Sequence, residues 1–266
     1  MLPATSVYNK VTLPQTSIDS PALSSVLTLV QGQSFNRSVI AWTGTDAAHH
    51  LNVERSAEGL TFFDKRTLGE TSPFRPDVTQ IGQPEGGFVT VAWTGTDANH
   101  SLNILPITVT GISLVPGTKT ILSQFSSNAG PHLTSGGSTS LVLSWTSRAL
   151  GPMAAVANSP DLQFGLVATL PQTSAFAPDT LFISAVQGPP VWISWTGTDA
   201  AHHLNLQFTT TYPAFPNAKT VLSDTAFGGP ALALEQVAMA VPVAFPQLAW
   251  TGTDSAHHLN IAKIQM

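Results

Sequence analysis

Apolar positions come in short runs that Gly, Pro, Asn or Asp soon interrupts, and the clearest are 38–43, 51–55 and 60–68. These runs are rich in Val, Ile, Leu, Thr and aromatic residues, which favours strands. No stretch of helical length free of Pro and Gly carries an apolar period of 3.6 residues. The pattern therefore predicts an all-β chain.

The runs also repeat. "WTGTDAAHHLN" at 42–52 returns as "WTGTDANHSLN", "WTGTDAAHHLN" and "WTGTDSAHHLN", with an altered copy, "WTSRALGPMAA", between the second and third. The heading residues Trp42, Trp93, Trp145, Trp195 and Trp250 are separated by 51, 52, 50 and 55 residues, so five units account for most of the chain. A second landmark, seen in "KVTLPQTSIDSPAL" and "KRTLGETSPFRPDV", fixes the phase. It places Leu13, Leu68, Leu122, Leu170 and Leu222 shortly before Pro21, Pro76, Pro131, Pro178 and Pro230.

Each unit reads as an inner strand after the Pro, a second strand ending at "AWT", a turn through "GTDxxH", a third strand from "LNV" or "LNI", and an outer strand closing at "KxTL". Four strands in about 50 residues match the blade of a β-propeller, in which radial packing protects sheet edges. The expected fold is a five-bladed β-propeller with four-stranded antiparallel blades. It forms one domain over 1–266, with blades near 21–68, 76–122, 131–170, 178–222, and 230–266 together with 1–14. The fifth motif leaves no room for an outer strand, whereas residues 4–14 supply "KVTL", so the N-terminal strand is expected to close the ring. An open solenoid would need capping units, and a two-sheet sandwich gives no reason for fivefold regularity.

The repeated turn is the main chemical feature. Gly44, Gly95, Gly197 and Gly252 are expected to take positive φ. Asp46, Asp97, Asp199 and Asp254 can accept backbone N–H groups. His49, His100, His202 and His257 follow three residues later, and Asn52, Asn103, Asn205 and Asn260 three beyond those. One reading is structural: the network satisfies a turn wedged against the next blade. The other is a ligand site, with Asp and Asn meeting sugar hydroxyls, Trp offering a flat apolar face, and repetition giving avidity. Phe74, Phe176 and Phe227 recur in the linkers, with Phe125 shifted in its own. They either stack on a ligand or cover a blade end. Trp192 breaks the pattern and is expected to be an exposed platform.

Composition narrows the partners. With 10 Lys and Arg against 15 Asp and Glu, the net charge is −5, and no basic cluster suits nucleic acid. Cysteine is absent, which removes disulfides and thiolate chemistry. The start shows no signal peptide, and no apolar run is long enough to span a membrane; the longest, 237–245, contains Pro242. The adjacent pairs His49–His50, His202–His203 and His257–His258 point to opposite faces if they lie in a strand, which disfavours a shared metal. Glu is scarce, and Glu70 with Asp77 is one of many carboxylate pairs that a glycosidase reading could choose. No "GxSxG", phosphate-loop or dinucleotide motif occurs. In the altered copy, Ser147, Arg148 and Ala149 stand for Gly, Thr and Asp, while Pro152, Ala154 and Ala155 stand for His, Leu and Asn.

"SAEGLTF" at 56–62 resembles a shortened Asp-box of sialidase-like blades, with Glu58 in place of Asp. Five units of about 50 residues resemble the tachylectin-type propellers and the wider group of repetitive propeller lectins. The repeated "AWTGTDxxHxLN" also resembles bacterial proteins to which it attaches no secure ligand. The lectin resemblance implies sugar pockets once per blade or between blades. The expectation is a multivalent carbohydrate-binding protein, monomeric or a small homo-oligomer, whose partners are glycans or other small polar ligands, with no cofactor. The alternatives are an enzyme with one asymmetric site on the ring axis or a rim, and a protein-binding scaffold.

Overall fold

The computed structural model describes residues 12–30, 33–56, 61–81, 88–110, 113–135, 140–149, 151–158, 163–174, 176–182, 191–237, 243–255 and 257–264. Its regular elements there are β-strands in five antiparallel sheets. The first holds β1 (Ala22–Val30), β2 (Gln33–Thr43), β3 (His50–Ser56) and β4 (Phe62–Thr71). The second holds β5 (Asp77–Ile81), β6 (Phe88–Thr94), β7 (Ser101–Val109), β8 (Leu114–Pro116) and β9 (Thr120–Ser126). The third holds β10 (His132–Ser135), β11 (Ser140–Thr146), β12 (Pro152–Asn158) and β13 (Gln163–Thr169). The fourth holds β14 (Asp179–Phe182), β15 (Val191–Thr196), β16 (His203–Thr209) and β17 (Thr220–Thr225). The fifth holds β18 (Ala231–Val237), β19 (Val243–Thr251) and β20 (Leu259–Lys263).

The first strands touch one another in the order β1, β5, β10, β14, β18, so they form the inner row of a five-bladed propeller-like arrangement. Burial follows the same geometry. β6, β11 and β15 are buried on both faces, because each is sandwiched between neighbouring sheets, whereas β17 is largely exposed. Strands buried on both faces read as continuous apolar runs, which is how "FVTVAWT" and "VWISWT" appear in the sequence.

The two landmarks meet between sheets. Leu68 shares a core cluster with Trp93, Leu122 with Trp145, and Leu170 with Trp195; Leu222 packs on the cluster of Trp250. The closing Leu of one repeat thus covers the Trp of the next. These indoles are at most 9% exposed, and burying such a ring is among the largest single apolar contributions to a core.

Two parts of the expected architecture are corrected. The sheets are not uniformly four-stranded: the second has five strands, because β8 and β9 both pair with β7 along its length, and the fifth has three. Nor does an N-terminal strand join the fifth sheet among the described residues, where β20 pairs only with β19. Residues 12–20 carry no strand. Their bridge, Ser17 to Gly44, ties them to the first sheet, and residues 1–11 lie outside the described residues. Among the described residues no sheet closes on itself as a barrel. The Asp-box resemblance also falls mostly outside, at 57–60. No helix among the described residues is long and apolar enough to cross a membrane.

Candidate functional site

Each intact turn joins the second and third strands of its sheet and is fastened by its Asp. Asp46 accepts the N–H groups of Ala48 and His50, and its Oδ1 lies 2.7 Å from His50 Nδ1. Asp199 and Asp254 repeat the contact with His203 and His258 at 2.8 Å, and Asp97 accepts Ser101 Oγ at 3.1 Å. Slight desolvation pushes Asp46 and Asp199 upward, but the hydrogen bonds from His50 and His203 outweigh it and hold both carboxyls below their ordinary range. Asp97 is held low in the same sense by Asn99 and Ser101. The Asn side chains close the ring from the other side: Asn52, Asn103, Asn205 and Asn260 each donate to the backbone carbonyl two residues before.

Positive φ belongs to the histidines and not to the glycines: His49, His100, His202 and His257 stand at 57°, 51°, 56° and 50°. Glycine is required for space. A Cβ on Gly44 would lie 2.7 Å from Asp46 Oδ2 and 2.9 Å from Asn52 Nδ2, and Gly95, Gly197 and Gly252 are equally confined. Within each His pair the two residues have different places. The first His is the left-handed turn residue, and the second meets the Asp.

The turns also join sheet to sheet through a hydroxyl pair at every intact motif: Thr16 with Thr45 at 2.6 Å, Thr71 with Thr96 at 2.8 Å, Thr173 with Thr198 and Thr225 with Thr253 at 2.5 Å. The Thr after four of the five motif Trp residues adds a second tie: Thr43 donates to Phe74 O, Thr94 to Ala129 O, Thr146 to Phe176 O and Thr196 to Gly228 O.

Beside two of these junctions lie cavities of the same construction. One, about 430 Å³, is lined by Pro14, Gln15 and Thr16 from the preceding segment and by Trp42, Thr45, Asp46, His50, Asn52, Lys65 and Thr67 from the first sheet. The other, about 380 Å³, is lined by Pro171, Gln172 and Thr173 and by Trp195, Thr198, Asp199, Asn205 and Lys219. In both, the Gln Oε1 is buried without a hydrogen-bond partner; so is Asn205 Oδ1, because Val221 stands where Thr67 donates to Asn52. Lys65 Nζ lies 5.4 Å from the centre of the Trp42 ring.

Asp46, Asn52, Asp199 and Asn205 therefore reach cavities, whereas His49 and His202 do not line them. Phe74 and Phe227 pack on the left-handed His of the next turn, His100 at 6.3 Å and His257 at 4.4 Å, and Phe176 is half-buried outside both cavities. Trp192 is 4% exposed and stacked on Phe208 at 4.9 Å, so it is no surface platform. It lines a separate apolar cavity of about 550 Å³ with Leu206, Leu248 and Trp250. The lysines and glutamines went unnoticed in the sequence, although they belong to the repeated "KxTLPQT" landmark, because the site is assembled from two successive repeats.

The altered third turn is two residues shorter than the others: Met153, not Ala155, pairs opposite Trp145, where Asn52 pairs opposite Trp42. Ser147 accepts Gly151 N–H in place of the Asp bonds, and Arg148 donates to Ala98 O of the neighbouring turn. Phe125 packs 4.6 Å from Trp145.

Near the axis, the residue after each landmark Pro departs from the repeat: Ala22, Asp77, His132, Asp179, Ala231. His132 sits between the two aspartates, 3.4 Å from Asp77 and 2.8 Å from Asp179. Burial alone would depress its pKa, but Asp179 and then Asp77 raise it to about 9, against a smaller opposing effect of Arg75. Both aspartates also accept backbone N–H groups from the next inner strand, Leu133 and Leu232. Glu70 and Asp77 do not come together as a carboxylate pair, since Glu70 is bound to Lys119 at 2.7 Å.

No protein-family model matches the chain, and no curated protein sequence does. Among solved structures, the chain is similar to a mutant lectin of Aleuria aurantia bound to Fucα1-6GlcNAc, with a TM-score of 0.59 and 11% identity over 92% of this chain and 79% of that one. A mutant of the same lectin with α-methyl-L-fucoside gives 0.56 and 10%, over 95% and 81%. A mercury derivative of the fucose-specific lectin from Aleuria aurantia gives 0.56 and 10%, over 95% and 94%. At such identities the likeness is one of fold.

Proposed function

We propose that the protein is a multivalent saccharide-binding protein whose sites lie at the sheet junctions. The observation that carries this reading is the recurrence of one cavity, with the same residue types in the same places, at two junctions. Each is lined by the same set: an ionised Asp, an Asn, a Thr pair, a Gln and a Lys beside a buried Trp. Several polar groups converging on one concave site suit the hydroxyl edge of a sugar ring. The shared fold with a fucose-specific lectin supports the class of ligand without fixing the sugar. Asp46 and Asp199 have a double task here: they hold the turn together and line the cavity. The first and second readings of the motif, structural and functional, are thereby compatible.

The test is a glycan array followed by titration calorimetry on the bound sugars. Saturation at two sites per chain is expected, with Gln15→Ala and Gln172→Ala each weakening one. An array on which no saccharide binds at millimolar affinity would reduce the turns to structural joints.

A further inference from the structure

The junction between the first and second sheets is built from the same positions as the two cavities, with one exchange. Glu70 stands where Gln15 and Gln172 stand, and Lys119 stands where Lys65 and Lys219 stand. There, the Glu70 carboxylate reaches Lys119 Nζ at 2.7 Å, with both side chains about one-third exposed. The chain thus supplies its own carboxylate to the lysine at this junction. At the two cavities a neutral Gln replaces it, and neither Lys65 nor Lys219 makes an ion pair among the described residues.

We infer that the two cavities select an acidic sugar, whose carboxylate meets Lys65 or Lys219 in the manner of Glu70 on Lys119, and that Glu70 closes the equivalent third site. This rests on the saccharide-binding reading above. Glu54 is electrostatically coupled to Lys65, and burial raises its carboxyl above the ordinary range despite that attraction. Gln207 occupies the corresponding strand position in the fourth sheet, so Lys219 has no such neighbour. Asp46 and Asp199 line the same cavities and remain as acceptors for hydroxyls there. A hexuronate offers the matching set: one anion and several hydroxyls. Charge-assisted contacts of this kind are roughly twice as strong as neutral ones.

The experiment is calorimetry of the whole protein with a hexuronate oligosaccharide and with its carboxyl-reduced, neutral counterpart. The acidic form is expected to bind at two sites, at least about tenfold tighter than the neutral one, with affinity falling as salt rises. Lys65→Met and Lys219→Met should each remove one site. Glu70→Gln should add a site by freeing Lys119, and Gln15→Glu with Gln172→Glu should close both open ones. Circular dichroism of each variant checks that it is folded; all five changes are at partly or fully exposed side chains. Equal affinity for the acidic and neutral forms, or an unchanged site number in Glu70→Gln, overturns the acidic-sugar inference while leaving saccharide binding standing. Absence of binding to both oligosaccharides and to the neutral glycans of the array overturns the two together.

Discussion

A glycine beside an Asp and an Asn defines each intact turn, and the reason is distance. The side chains of Asp46 and Asn52 converge on the space a Cβ would fill at Gly44, and the same convergence recurs at Gly197. Gly44→Ala is expected to lower stability by about 1–3 kcal/mol, read from urea unfolding, because the Asp must leave its backbone partners to make room. Ser147→Ala should cost less than about 1 kcal/mol. The third turn tolerates a side chain there because neither Asp nor Asn faces it. At this scale the sequence was legible as far as residue type and spacing carry. Asp as backbone acceptor follows from its known turn chemistry. Which of His49 and His50 touches Asp46 does not, because that depends on which of two adjacent residues of the same type takes the left-handed conformation, and His is able to adopt it at either position.

Among the strands, the repeat makes the common features visible and conceals the exceptions. Leu68 and Trp93 could be recognised as landmarks because both recur, and their meeting across the sheet boundary is the physical reason that they do. The contact of Asp77, His132 and Asp179 could not be found this way, since each lies at a position that varies between repeats and their association requires β5, β10 and β14 to be side by side. The same limit hid Lys65 and Gln15, which converge only when one repeat's closing segment lies on the next repeat's turn. The triad has a measurable consequence. His132 is charged in the fold up to about pH 9, against an ordinary value of 6.5. A raised pKa gives stability that is complete below pH 6.5 and is lost as pH climbs through 9. With the side chain 21% exposed, the loss is on the order of 1–3 kcal/mol. Thermal unfolding of the protein should therefore show Tm falling between these pH values, and His132→Gln should flatten that slope; an equal slope in the variant would remove His132 as its source.

The molecule as a whole is a series of sheets fastened by unlike ends. The tail of one repeat contributes a closing Leu and a Thr; the head of the next contributes a Trp and another Thr. A head-to-tail fastening does not depend on both halves belonging to one chain, and such contacts either close into rings or run on without limit. A chain in which one joint opens exposes a head and a tail that match those of every other opened chain. Gentle heating at high concentration should thus produce discrete dimers and longer concatemers, visible by light scattering before global unfolding. The device that makes the fold easy to extend by duplication is also its route to exchange between neighbours.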